Sequence, residues 1–194
     1  MHKQPITINM KLILHMMDAL TYCGDTEIYA VILALIEEEL SKQDNLKSKF
    51  IRQLLPFHGS DEEADFWEEN RRAIIRECAE SDIPEAQYLV GCEEYENRQY
   101  KKAVELYRKS AEKGYPPSLY CLGLAYYHGQ GVESDKQKGL DFIKLAAGQL
   151  YGLALEYLIA YYKNNESEQS GKQLEFYSNL LSWSDVPFIA PRQR

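Results

Sequence analysis

The segment HGQGV at 128–132 raises the question of nucleotide chemistry, because glycine-rich loops can cradle phosphates. A phosphate-binding loop also needs a Lys-Ser or Lys-Thr pair, and it follows a strand. HGQGV carries no such pair, and the residues before it have the pattern of a helix. We therefore predict that 128–132 is a turn between two helices and that the chain binds no cofactor there.

The sequence lacks the residue patterns that a metal site or a hydrolase active site would need. The four histidines show neither an HExxH motif nor the Cys/His spacing of a zinc site, and there is no GxSxG segment. The acidic segment DEEADFWEEN at 61–70 has many carboxylates but no partner base or nucleophile. We interpret it as a solvated helix face, with contact to a basic partner as the alternative. The sequence thus predicts no catalytic residue, no metal site and no enzyme activity.

The cysteines offer thiol chemistry only where the fold exposes them. Cys23, Cys78, Cys92 and Cys121 form no CxxC pair and do not recur as a disulfide framework would. We predict reduced, mostly buried thiols in a cytoplasmic protein. Cys92 and Cys121 are candidates for reactive thiols only if they reach the surface.

The elements that position these residues repeat along the chain. PSLYCLGLAYYHGQG at 117–131 shares its pattern with PEAQYLVG at 84–91 and GLALEYLIAYYK at 152–163. The first two are followed by related blocks, YKKAVELYRKSAEKG at 100–114 and KQKGLDFIKLAAGQL at 136–150. Self-similarity at a spacing in the thirties is typical of stacked helical hairpins. The sequence therefore predicts an array of hairpins.

Small residues recur where the two helices of a hairpin approach most closely. Helix axes lie about 8–10 Å apart at such contacts, which favours glycine or alanine. Gly91 and Gly123 hold one such place on the first helices, and Ala103 and Gly139 hold another on the second helices. Ile159 occupies the glycine place of the third copy, so we expect that hairpin to pack more widely or differently. The pattern also predicts core side chains at Val90, Leu106, Leu122, Phe142 and Leu145.

The segment before the recognisable copies looks like a degenerate leading repeat. IIRECAESDIPEAQY at 74–88 parallels ELYRKSAEKGYPPSLY at 105–120. We therefore predict that residues 61–82 form the second helix of a hairpin, and that the array begins before Pro84.

Charge is unevenly distributed and restricts the class of partner. The net charge is −8, and residues 1–83 carry 9 basic and 16 acidic groups against 13 and 14 in residues 84–194. A chain of this charge is not expected to bind nucleic acid or an anionic membrane as its main partner. No apolar run reaches the roughly 18–20 residues of a membrane span. The first 22 residues have the pattern of an amphipathic helix, not of a signal peptide.

These motifs resemble the Sel-one-like repeat family, a relative of the tetratricopeptide repeats. The resemblance covers about 60–182, and the first 58 residues have no counterpart in it. It implies an all-α fold, a right-handed α-α superhelix of helical hairpins, with a helical segment at 1–58 and an extended tail at 183–194. The residues that carry it are Leu122, Gly123, Tyr126, Gly129, Gly131, Val132, Leu140, Phe142, Ala146 and Ala147.

The family resemblance implies an adaptor or scaffold that holds another protein or a peptide. Of the 15 tyrosines, 13 lie from Tyr88 onward, and several fall on the first helix of a hairpin, on the side that lines the concave face of related solenoids. Tyrosine is enriched at binding hot spots, although the same rings can simply seal neighbouring hairpins. The alternative function is a bacterial immunity or inhibitor protein that blocks a basic partner through its acidic N-terminal half. The predicted partner-binding residues are Tyr88, Cys92, Tyr95, Tyr120, Leu124, Tyr127, Glu156 and Lys163.

Overall fold

In the computed structural model, the part of the chain that the structure describes is helical throughout its regular elements, which confirms the predicted all-α fold. The described residues are 34, 36, 40, 45–55, 60–165 and 168–183. The chain divides into two compact units, Met1–Ile75 and Arg76–Arg194. The helices within the described ranges are α1 (Leu46–Leu54), α2 (Asp61–Glu80), α3 (Pro84–Glu96), α4 (Tyr100–Glu112), α5 (Pro116–His128), α6 (Lys136–Gly148), α7 (Gly152–Asn164) and α8 (Glu168–Trp183).

Local side-chain bonds set where the helices of the first unit begin. The Asn45 carboxamide oxygen accepts from the Ser48 backbone N–H at 2.9 Å, and the Ser48 hydroxyl accepts from the Asn45 N–H at 3.3 Å. This reciprocal capping box starts α1. At the start of α2, the Glu63 carboxylate accepts from both the N–H and the hydroxyl of Ser60, each at 2.9 Å. Those bonds favour the charged carboxylate and lower the pKa of Glu63.

The second unit is built of three hairpins, α3–α4, α5–α6 and α7–α8, as the repeat pattern predicts. One turn recurs at the junctions before them, where Asp82, Gly114 and Leu150 each adopt a left-handed backbone with φ of 66°, 78° and 60°. The next residue of each junction donates its N–H to a carbonyl in the last turn of the preceding helix. The end of α2 therefore makes the same turn as the ends of α4 and α6. That residues 61–82 belong to a degenerate leading repeat stays a prediction.

The close approaches predicted from the small residues are present. A Cβ at Gly123 would lie 2.6 Å from Cγ1 of Ile143 and 2.8 Å from the carbonyl oxygen of Gly139. A Cβ at Gly91 would lie 2.7 Å from Cε1 of Tyr107. In the second hairpin, therefore, the two helix backbones approach so closely at Gly123 that a side chain there would collide. In the first hairpin, the ring of Tyr107 fills the space that a side chain at Gly91 would need.

The prediction that Leu145 belongs to the core is wrong. The pattern placed it inside, but its side chain is 57% exposed, and Ile143 is the fully buried residue of α6. The buried side of α6 runs through Leu140, Ile143 and Ala147, which are three and four residues apart and so share one face. Leu145 falls on the opposite face. Leu106 and Phe142 are half-buried, while Val90 and Leu122 are buried as predicted.

Two buried serines connect the first two hairpins. The Ser118 hydroxyl of α5 donates to the Ser110 hydroxyl of α4 at 2.7 Å, and Ser110 donates to the Pro84 carbonyl of α3 at 2.7 Å. One repeat later, Ala146 and Ala154 occupy the equivalent places, and both are fully buried. The same junction can therefore be built with a polar or an apolar pair.

Ser110→Ala is expected to lower the free energy of unfolding by about 1–2 kcal/mol, because it leaves the buried Ser118 hydroxyl without its acceptor. Adding Ser118→Ala removes that unpaired hydroxyl and recreates the alanine pair of the next junction. The double variant is thus expected to recover part of the loss. Urea unfolding of both single variants and the double variant measures the coupling; strictly additive losses would contradict the serine bridge.

Candidate functional site: the tyrosine face of the first helices

A buried cluster of tyrosines and thiols lies between the first and second hairpins. The ring of Tyr88 lies 6.2 Å from that of Tyr107 and 5.6 Å from that of Tyr115, measured between centroids. The Tyr107 hydroxyl donates to Sγ of Cys92 at 3.6 Å. Burial raises the pKa of both Cys92 and Cys121, so both thiols stay protonated at neutral pH. This environment is typical of packing cysteines, not of nucleophiles.

A second run of rings crosses from α5 to α7. Tyr120 contacts Tyr151 and Tyr157 at centroid distances of 5.7 and 6.2 Å. Tyr127 contacts Tyr157 and Tyr161 at 6.1 and 6.5 Å. All four pairs meet edge to face, a geometry in which the positive edge of one ring is attracted to the negative face of the other. Burial raises the pKa of Tyr120 to about 12, which keeps its hydroxyl neutral.

The predicted site residues differ in exposure. Tyr88 is only 7% exposed, so its ring packs in the core and offers little surface to a partner. Tyr95 is 40% exposed, and its hydroxyl donates to Oε1 of Gln130 at 3.0 Å. Among the others, Cys92, Tyr120, Leu124 and Tyr127 are half-buried, and Glu156 and Lys163 are exposed. Their role in binding stays a prediction.

Two tyrosines that contact Tyr127, namely Tyr157 and Tyr161, were not among the predicted site residues. In the third hairpin, the repeat pattern instead predicted Glu156 and Lys163, which lie close to them in sequence. The spacing of Tyr157 and Tyr161 was the available signal, since residues four apart lie on one face of a helix.

The turn predicted at 128–132 is confirmed, and it has a structural role. Gly129 ends α5 in the left-handed conformation, with φ 73°. Gly131 follows with φ 76°, and its backbone lies against the start of α4, where a Cβ would collide with the Tyr100 carbonyl and lie 2.9 Å from the Lys101 nitrogen. The glycines therefore let the turn of the second hairpin pack on the first.

The acidic face predicted on α2 is exposed where the structure describes it. Glu63, Asp65 and Glu69 are exposed, and Phe66 between them is 76% exposed. Glu68 instead pairs with Arg71 and Arg72 at 3.4 and 3.3 Å. Most of the remaining acidic N-terminal half lies outside the described residues, as do Cys23 and residues 184–194 of the tail predicted at 183–194. Residue 183, the first of that predicted tail, is instead the last residue of α8.

The described residues contain no group of three or more histidine, cysteine, aspartate or glutamate side chains arranged to hold a metal ion. They also contain no helix long and apolar enough to cross a membrane.

Comparison with solved structures finds a likeness to the crystal structure of a Sel1 repeat protein from Oxalobacter formigenes. The TM-score is 0.48 at 16% sequence identity, and the match covers 62% of this chain and 54% of the other. The likeness concerns the hairpin fold alone, and it carries no statement about what the repeats bind.

Comparison of sequences finds a relative that matches only part of this chain. The chain is 36% identical over 75 residues to an uncharacterized protein of Neisseria meningitidis serogroup B. That match covers 38% of this chain and 16% of the relative, so the chain spans a small part of that protein's length. No protein-family model matches the chain.

Proposed function

We propose that this chain is a Sel-one-like repeat protein and that it acts as a non-catalytic interaction module, which holds a peptide or another protein on the tyrosine face of its first helices. We define this tyrosine face by Tyr95, Leu124, Tyr127, Tyr157 and Tyr161. The observation that carries the proposal is the run of edge-to-face contacts that joins Tyr127 on α5 to Tyr157 and Tyr161 on α7. All three side chains are only half-buried.

The physical properties of these side chains support a binding role. Tyrosine offers a large apolar area and a polar tip at little cost in side-chain entropy, which is why it is frequent at interface hot spots. Because the rings already contact one another in the free chain, little ordering remains to be done when a partner binds.

The test compares a face variant with a surface control in an affinity purification from the source cell. Tyr95→Ala with Tyr127→Leu removes two rings of the face, and leucine at 127 keeps apolar volume in the hairpin. We expect retention of the partner to fall at least about tenfold, the effect of losing one hot spot. Leu145→Ala is the control, because Leu145 is an exposed apolar side chain on α6, a second helix that contributes no residue to the tyrosine face. Tyr120 is left unchanged, since its contact with the buried Tyr151 makes it part of the packing between hairpins.

Circular dichroism and thermal melting show whether the variants stay folded. A single partner present in stoichiometric amount, lost with the face variant and kept with Leu145→Ala, supports the proposal. Equal retention by both variants, or no protein partner at low and at moderate salt, would overturn it. Release by moderate salt alone would instead favour the inhibitor function, in which the exposed acidic face of α2 around Phe66 contacts a basic partner.

A further inference from the structure

Three aromatic rings contact the ring of Tyr127. His128, Tyr157 and Tyr161 approach it at centroid distances of 5.1, 6.1 and 6.5 Å, with interplanar angles of 73°, 82° and 89°. Nearly perpendicular rings of this kind form the sides of the aromatic sites that bind organic cations, because the ring faces are negative. Tyr127 is half-buried, so part of it stays accessible.

A cation of the chain itself already lies at this ring. The Lys136 ammonium is 5.8 Å from the centroid of Tyr127. Lys136 is the first residue of α6, and a positive charge is disfavoured at a helix N-terminus. Within the described residues, no carboxylate lies within 4.0 Å of its ammonium group. The structure thus gives Lys136 a contact with the Tyr127 ring, and a cation–π contact made by an exposed side chain is weak.

We propose that the cluster of Tyr127, His128, Tyr157 and Tyr161 is the receptor for an arginine side chain of the bound partner, and that Lys136 covers it in the free chain. The inference rests on the proposed function, for which it names the chemistry of the partner. Local charge favours this occupant, because Glu156, which precedes Tyr157 in α7, is exposed. Arginine suits the site better than lysine, since its flat and weakly hydrated guanidinium stacks on a ring face.

The test uses N-acetyl-arginine amide as the probe and N-acetyl-citrulline amide as its neutral isostere. Chemical shifts of the Tyr127 ring, followed by NMR in the full chain with labelled tyrosine, report binding. We expect shifts with the arginine probe and weaker or no shifts with citrulline. Lys136→Gln is expected to tighten arginine binding about two- to fivefold by removing the competing cation.

Lys138→Gln is the matched control. It removes the same charge two residues away, but the Lys138 ammonium lies over Tyr126, 4.2 Å from that centroid, and not over Tyr127. We expect it to leave the affinity for arginine unchanged. Equal tightening by both variants would mean that net charge alone acts, and it would overturn the proposal. Equal binding of arginine and citrulline would also overturn it.

A second variant tests the ring directly. Tyr127→Leu keeps the apolar volume but has no aromatic face, so the arginine probe should no longer shift the signals of Tyr157 and Tyr161. Persistent shifts would place the probe elsewhere and sink the proposal; the Lys136→Gln result decides the case if this variant fails to fold. If the chain binds the arginine probe but no protein partner is found, only the proposed interaction function is refuted. If a partner is found and is lost with the face variant, but the arginine probe does not bind, only this arginine site is refuted.

Discussion

Replacing Gly123 with alanine is expected to lower the free energy of unfolding by about 1–3 kcal/mol, the usual cost of overpacking a tight contact. The new Cβ would lie 2.6 Å from Cγ1 of Ile143, 2.8 Å from the Gly139 carbonyl and 3.1 Å from the Ile143 nitrogen. Two of these three neighbours are backbone atoms, so a rotamer change cannot relieve the collision and α5 must move away from α6. Leucine at the same place should cost at least as much, because it adds more atoms to the same gap.

Gly171→Ala is the matched control for this prediction. Gly171 also lies within a helix, α8, but no atom outside its own helix lies within 4 Å of the position a Cβ would take. Alanine there should stabilise the chain by up to about 1 kcal/mol through its better helix propensity. Urea unfolding of the two variants should therefore give changes of opposite sign. If Gly123→Ala stabilised the chain as Gly171→Ala does, the close contact of α5 with α6 would be wrong.

Gly131→Ala is expected to be more damaging still, with a loss of about 2–5 kcal/mol from backbone strain and collision together. Its φ of 76° lies in the left-handed region that a side chain disfavours. Its Cβ would also collide with the Tyr100 carbonyl, which belongs to the preceding hairpin. Relieving that collision separates the turn at 128–132 from the start of α4, so the packing of one hairpin on the next is lost as well.

Gly114→Ala separates the two causes. Gly114 has nearly the same backbone, φ 78°, but no atom lies within 4 Å of the place of its Cβ. Only the left-handed strain applies there, so the expected loss is about 1–2 kcal/mol. Thermal melting of both variants gives the comparison. Equal losses would show that the turn does not rest on the Tyr100 backbone as the structure has it.

Much of the hairpin architecture was readable from the sequence because it depends on local rules. Gly91, Gly123 and Gly139 were predicted at close helix contacts, and a Cβ at each of them would lie within 3.0 Å of a neighbouring atom. The turn at 128–132 was predicted from its glycines and is a turn. Such features follow from helix periodicity and from which residues tolerate a close backbone or a positive φ, and these are properties of a few adjacent residues.

The errors and omissions share one cause, which is the rotation of a helix relative to its neighbours. Leu145 and Ile143 are both apolar and two residues apart, so composition does not decide which of them faces the core. The packing of α6 against α5 buries Ile143 and exposes Leu145. The binding role predicted for the first-helix residues remains to be tested by the variants of the tyrosine face.

The sequence by itself determined that this protein is a stack of helical hairpins, where each hairpin starts and turns, and where backbones must touch. Only the tertiary structure decided what the tyrosines do. Tyr88 is buried, Tyr95 reaches the surface, and Tyr127 joins Tyr157 and Tyr161, which lie on another hairpin. The physical reason is that these contacts join residues 30 or more positions apart, or depend on how one hairpin is rotated on the next. A local pattern of residues carries the period of a helix, but it does not carry that rotation.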